Sequence, residues 1–346
     1  MSRTRLAAGI ILVALMAGFG AAVHEGLGLV RRVHPGSAAA TTPPRLAEIR
    51  PAMRLPGTLY LAAGGDLLRM RGDTLSVMLR HDADHRWMQP AVAGHGSLVL
   101  VARGAQSSDL YAVDGGGAGA RRLTDDAAPP LRDGSLAADH WAFHPRPGPD
   151  GRLWYSYDAP KAGFRVDLAV WSRPARGGWP ARWSSPDGYT GGDVEPLPLP
   201  TGGVIFARYQ LDAQAHIRSR LWLQTTPGDP GRPLTAAVDD CGQPDLSADG
   251  AMLAMVCTEG QQTAQVEVAG FDGRSLGARR RLTADGLCAF PTWAPDGGSL
   301  VYLSPGGDGR GFGLWWLDTS ASSSARPRQV LDGLGLDATS RPAWAA

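Results

Sequence analysis

The chain has 346 residues, with 34 Lys and Arg against 33 Asp and Glu, and its formal charge of +1 supplies no long-range field for nucleic acid or an acidic surface. A hydrophobic fraction of 43% excludes wholesale disorder, while 46 Gly and 27 Pro make the chain rich in turns. Barrels and propellers of this size occur as one unit, so a single large all-β domain is allowed.

At the start of the chain, Arg3 and Arg5 precede an uncharged run of 18 residues, Leu6 to Val23. As a helix it spans about 27 Å, close to the hydrocarbon thickness and longer than the core of a cleavable signal. Residues 1–23 are therefore expected to be an N-terminal signal anchor, with a cleaved signal peptide as the alternative; either way the remainder is exported, giving an extracytoplasmic protein that meets the membrane through this segment. No Cys stands at the end of the run for lipid modification. Residues 24–56, dense in Pro, Ala and Thr from His34 onward, read as an extended linker. The folded domain is expected over 57–346.

An internal repeat organises that domain. Its clearest unit is Pro291-Thr-Trp293-Ala-Pro295-Asp296-Gly297, followed by the apolar stretch Ser299 to Leu303. Copies begin at Pro90, Pro145, Pro196, Pro244 and Pro342, with successive spacings of 55, 51, 48, 47 and 51 residues. That period suits one four-stranded propeller blade. Asp-Gly between two apolar runs is a hairpin signal in which both central residues accept positive φ. Third strands are expected at Asp109 to Val113, Asp167 to Trp171, Arg220 to Leu223, Gln265 to Val268 and Gly313 to Leu317. Fourth strands are marked by Arg122-Leu-Thr124, Arg232-Pro-Leu-Thr235, Arg281-Leu-Thr283 and Arg328-Gln-Val-Leu331. Gly57 to Ala62, Asp66 to Met70 and Leu75 to Leu79 supply three further strands that lack a first one. Arg341 to Ala346 fits that place, so the expected fold is an all-β, six-bladed β-propeller of four-stranded antiparallel blades, closed by the C-terminal strand joining the first blade.

The unit Pro-x-Trp-x-Pro-Asp-Gly, an apolar strand and Arg-x-Leu-Thr resembles the TolB-like, or PD40, propeller repeats, over roughly Leu55 to Ala346. TolB is periplasmic and binds partner proteins, and similar repeats form the substrate-gating propellers of prolyl-oligopeptidase-like enzymes. The resemblance implies a propeller whose default role is binding a protein or peptide. The companion domains of both families are not expected here: the upstream residues read as anchor and linker, and the closing strand is expected to complete the propeller.

Alternation along the innermost strand places Val92, Pro147, Pro198, Leu246, Trp293 and Trp344 on one apolar face. The residues just before each repeat proline, Gln89, His144, Glu195, Gln243, Phe290 and Arg341, vary in polarity and are expected at the axial mouth. They form the candidate ligand-binding ring, in which Arg341 would suit a carboxylate. The plainer reading has these groups hydrate a channel or pair with one another. A propeller hydrolase or lyase using His144 and Glu195 is the alternative function, and a purely structural envelope protein a third.

Cys241, Cys257 and Cys288 leave one thiol over in a monomer, and a disulfide is open both between Cys241 and Cys257 and between Cys241 and Cys288. No catalytic triad, cofactor fingerprint or metal-ligand spacing appears. His81 and His85 with Asp82 and Asp84 read as a solvated loop, Gly115 to Gly119 as a hairpin turn, and Arg71-Gly72-Asp73 as a turn. Trp154, Trp171, Trp222, Trp315 and Trp316 are expected to pack between blades, and Trp179 and Trp183, flanked by Pro and Gly, to be exposed. Neither a cofactor nor a metal is expected, and the propeller is expected to be monomeric.

Overall fold

A computed structural model describes residues 46, 49–126, 139–159, 167–174, 178–186, 190–259, 263–284, 286–307, 311–319 and 326–346. The expected anchor, 1–23, and most of the linker lie outside them. Among the described residues no helix is long and apolar enough to cross a membrane.

The chain folds into antiparallel sheets in sequence order. Four of them have four strands each: β4 to β7 (Arg86–Val92, Leu98–Arg103, Ser108–Val113, Arg121–Arg122), β8 to β11 (Ala142–Pro147, Arg152–Tyr157, Ala169–Pro174, Ala181–Arg182), β12 to β15 (Asp193–Pro198, Val204–Leu211, Ile217–Gln224, Arg232–Pro233), and β16 to β19 (Cys241–Leu246, Met252–Glu259, Thr263–Phe271, Leu276–Arg281). An eight-stranded sheet combines β20 to β23 (Ala289–Trp293, Ser299–Pro305, Phe312–Asp318, Arg328–Leu336) with β1 to β3 (Leu55–Ala63, Asp66–Gly72, Thr74–Leu79) and β24 (Ala343–Ala345). Strand pairing joins its two halves at one residue pair, Ala63 with Leu336. β24 pairs antiparallel with β1, setting Trp344 opposite Leu59, so the chain's last strand completes the sheet of its first, as the repeat register requires. Ala181–Arg182 is a fourth strand for which the sequence carries no Arg-x-Leu-Thr signal.

Burial follows the strands. Apolar clusters straddle consecutive sheets: Tyr60, Leu67 and Ala343 with Trp87 and Leu100; Met88 and Val101 with Ala142 and Tyr155; Trp154 and Val170 with Phe206; Leu197 and Leu221 with Leu253 and Met255; Ala254 and Val266 with Trp293 and Tyr302. The circuit closes where Phe290, Val301 and Leu331 meet Leu59, Met70 and Trp344. Each such large side chain, taken from water, contributes about 1.5–3 kcal/mol. Leu46, Ile49 and Met53 pack on this last cluster, and the Ala52 amide donates to the Val330 carbonyl, so the chain just before β1 runs along the propeller wall.

Two recurring local structures explain the repeat. The Asp-Gly hairpins are not tight turns with two left-handed residues, as the dipeptide suggested. Only the glycine is left-handed (φ +71° at Gly151, +74° at Gly250, +73° at Gly297), and the turn closes from the glycine amide to the carbonyl three residues back. The aspartate takes an ordinary conformation because its Oδ1 accepts the amide two residues on, from Arg152, Ala251 and Gly298. The Leu-Thr of the fourth strand is a clasp: Thr124, Thr235 and Thr283 Oγ accept third-strand amides of Leu110, Leu221 and Val266 at 3.0 Å. In the β8 to β11 sheet, Ser184 does the same for Val170 at 2.9 Å.

The aromatic expectations hold in part. Trp179 is 93% exposed, but Trp183 is buried: its ring lies 4.5 Å from that of Trp154 and its indole N–H donates to Ser172 Oγ. The local Pro and Gly signal failed there because Trp183 follows a fourth strand and turns inward beneath the neighbouring sheet.

Candidate functional site

The innermost strands β4, β8, β12, β16 and β20 carry a β-bulge at the repeat proline. Register skips between Met88 and Ala91, Phe143 and Arg146, Val194 and Leu197, Gly242 and Asp245, and Ala289 and Thr292. At every bulge the residue before proline is left-handed: Gln89, His144, Glu195, Gln243 and Phe290 have φ between +50° and +58°. Such a conformation costs of order 1–3 kcal/mol for a side-chain-bearing residue, and proline normally disfavours it further. Proline fits because the bulge needs no ladder amide there. The bulge also interrupts strict alternation, so residues on both sides of several repeat prolines border the same openings. Of the residues expected on one apolar face, Val92, Pro147, Leu246, Trp293 and Trp344 line a wide opening, and Trp293 and Trp344 also belong to the clusters between sheets.

A hydrogen-bond relay between sheets offsets the strain. Ser340 Oγ accepts the Gln89 amide at 2.7 Å, and Gln89 Oε1 accepts the His144 amide at 2.7 Å. Ser156 Oγ lies 3.2 Å from His144 Nδ1 and accepts the Glu195 amide at 3.2 Å. Glu195 Oε2 accepts the Gln243 amide, and Gln243 Oε1 that of Phe290, each at 2.6 Å. The ring is therefore brought together largely by mutual pairing. His144 and Glu195 share no hydrogen bond with each other among the described residues.

Arg341 stands at the equivalent repeat position but is joined differently. Its guanidinium donates to the Pro291 carbonyl at 2.6 Å and lies 5.2 Å from the Phe290 ring centre. Arg146, from β8, reaches past β12 to Asp245 of β16 at 2.7 Å, and the other Asp245 oxygen accepts the Trp293 amide at 2.8 Å. Arg146 and Asp245 carried no signal in the ring pattern, since they lie one residue beyond the repeat proline.

Two spaces result. A throat lined by Gln89, His144, Arg146, Glu195, Phe290 and Arg341 holds only about 20 Å³, room for about one water. It meets a mouth of about 230 Å³ at Pro90, Arg146 and Arg341. Burial brings His144 down to about 3, helped by Arg341 and Arg146, so its imidazole is neutral near pH 7. Burial raises Glu195 above the ordinary carboxyl value, opposed by Arg341, the Gln243 amide and Arg146. Burial, then Arg146, brings Arg341 down to about 10, still a cation.

Elsewhere, Cys241 and Cys257 face each other across β16 and β17 and form a disulfide, while Cys288 is a buried free thiol. Asp66 binds His81 and Asp82 binds His85. Among the described residues no group of three or more His, Cys, Asp or Glu is placed to hold a metal.

With the geometry in place, comparison with solved structures decides the fold. TolB from Acinetobacter baumannii superposes with a TM-score of 0.63 at 17% identity, over 84% of this chain and 66% of that one. The putative TolB from Agrobacterium tumefaciens gives 0.56 at 15%, over 84% of this chain and 92% of that one. The chain has the β-propeller fold seen in TolB. Hydrazine synthase from Kuenenia stuttgartiensis also shares the architecture, at 0.55 and 13%, over 87% of this chain and 49% of that one. No protein-family model matches the sequence, and no curated protein matches it. At these identities the likeness covers the fold. The TolB-like propeller here spans slightly less than two thirds of the Acinetobacter TolB chain.

Proposed function

We propose that this TolB-like propeller is a six-bladed, extracytoplasmic binding module, tethered by its N-terminal apolar run, which recognises a protein, a peptide or a cell-envelope component at its axial mouth. The eight-stranded sheet is read as two blades because its halves are paired as strands only at Ala63 and Leu336, and because side-chain clusters between sheets run round the whole circuit, these two halves included. The Cys241–Cys257 disulfide suits an oxidising compartment. TolB, the resemblance on which the reading of partners draws, is itself a partner-binding protein.

One observation carries the binding role: a concave mouth lined by the cation of Arg341, while Gln89, His144, Glu195 and Gln243 are engaged in the relay. Affinity capture from envelope extracts tests it, with the wild-type chain beside Arg341→Ala and Glu195→Ala. Loss of specific partners in these variants is expected. An unchanged set of partners would sink the axial-mouth reading.

A further inference from the structure

The ring is most informative where it breaks its own rule. Gln89, Glu195 and Gln243 each hold the backbone of the next sheet through a side-chain oxygen, and His144 shares Ser156 with the Glu195 amide. Phe290 ends that relay because it has no side-chain acceptor, and Arg341 follows it. Arg341 is 9% exposed, and a guanidinium has five N–H donors, of which one meets the Pro291 carbonyl.

The charged and titratable groups around it are few. Arg146 and Asp245 neutralise each other at 2.7 Å, and Asp245 is further engaged by the Trp293 amide. Glu195 gives one oxygen to the Gln243 amide, and neither carboxylate is within ion-pair distance of Arg341 among the described residues. His144 is neutral. Beyond Arg341 the mouth is walled by Val92, Pro147, Leu246, Trp293 and Trp344. At about 230 Å³ it is smaller than the roughly 300–1,000 Å³ of drug-sized sites, and the throat behind it stops anything larger than water.

We infer that the mouth binds a small monocarboxylate, its oxygens bridged by Arg341 and flanked by Arg146, with a short apolar body against Trp293 and Trp344. The inference rests on the mouth being the binding site. A planar guanidinium matches a carboxylate through two parallel hydrogen bonds. Nearby Asp245 and Glu195 penalise a dianion such as phosphate, and the apolar walls favour an organic body. The same chemistry is offered by a polypeptide C-terminus and by a free acid of a few carbons.

Calorimetric titration of the full chain separates these cases, using acetyl-Ala-Ala-Leu with a free carboxylate, the same peptide as its amide, isovalerate and inorganic phosphate. The indole N–H resonance of Trp293, which donates to the Asp245 carbonyl, reports occupancy of the mouth. A free acid is expected to bind and shift that resonance, with binding at least tenfold weaker for the amide, for phosphate and in Arg341→Gln, and partly restored in Arg341→Lys. Peptide acid binding without isovalerate assigns the chain terminus as source; isovalerate binding assigns the small acid. Equal affinity for acid and amide, or no binding of either acid, overturns the inference, and the wild-type comparison decides this even if Arg341→Gln misfolds. If envelope partners are still lost in Arg341→Ala when no acid binds, the carboxylate inference fails while the binding-module reading stands.

Discussion

Gln89 Oε1 accepts the backbone amide of His144 at 2.7 Å, across two sheets and 55 residues of sequence. Both residues precede a repeat proline and both are left-handed, so the side chain of one stabilises the strained backbone of the other. Polarity at these positions is thus explained by the neighbour's bulge, and Arg341 is set apart as the ring residue with a different attachment.

The relay predicts a specific cost. In Gln243→Met the Phe290 amide loses its 2.6 Å acceptor within a packed interface, while the volume is nearly kept. A loss of about 1–3 kcal/mol is expected in urea unfolding. Gln243→Glu, which keeps an acceptor oxygen, should lose less; equal losses would refute the relay.

Closure by the last strand is testable by deletion. Removing residues 341–346 takes β24 from β1 and strips Trp344 from its cluster. The bared edge of β1 should pair between molecules. Light scattering is expected to show concentration-dependent association and melting a lower midpoint; a monomer of unchanged stability would contradict the closure.

Asp193, fully buried, receives two hydrogen bonds from Arg208, at 2.6 and 2.8 Å, and Arg208 lies 4.6 Å over the Trp222 ring. Asp193→Ala leaves that guanidinium unpaired and should cost about 3 kcal/mol or more. Adding Arg208→Met should recover much of the loss, which a double-mutant cycle measures.

The disulfide closes a separation of 16 residues, for which loop-closure entropy gives about 3 kcal/mol. Replacing Cys241 and Cys257 together by Ala should lower the denaturation midpoint accordingly. Thiol titration should find no reactive group in the native chain and one, Cys288, after unfolding without reductant, since burial both shields that thiol and pushes it up.

His144 gives a pH dependence of definite sign. Its native value of about 3 lies below the ordinary 6.5, so between these the unfolded chain binds a proton that the native chain refuses. Its contribution is therefore complete above pH 6.5 and is lost as pH falls toward 3. Glu195, raised in the native state, works in the opposite sense above the ordinary 4.5. His144→Gln should flatten the acid-side stability slope by at most about 1.4 kcal/mol per pH unit. An unchanged slope in unfolding curves from pH 7 to 4 would count against a desolvated imidazole.

The sequence by itself determined the strands apart from Ala181–Arg182, their order in the repeat and the return of Arg341 to Ala346 to the first sheet. Those features are written in neighbouring residues: apolar runs of strand length, a turn at Asp-Gly and a proline every 47 to 55 residues. It also pointed to the pre-proline positions, five of which, all but Gln243, line the throat. Tertiary structure decided what those residues do there, because the bulge breaks strict alternation and because their partners lie in adjacent sheets, roughly a repeat length away. It likewise chose Cys257 over Cys288 as the partner of Cys241, by placing Cys257 directly opposite it across β16 and β17, and it buried Trp183 on Trp154. Arg341 shows the division most clearly: its position was legible from the repeat, but its bond to the Pro291 carbonyl, its place over the Phe290 ring and its share in lining the mouth were set by the tertiary structure.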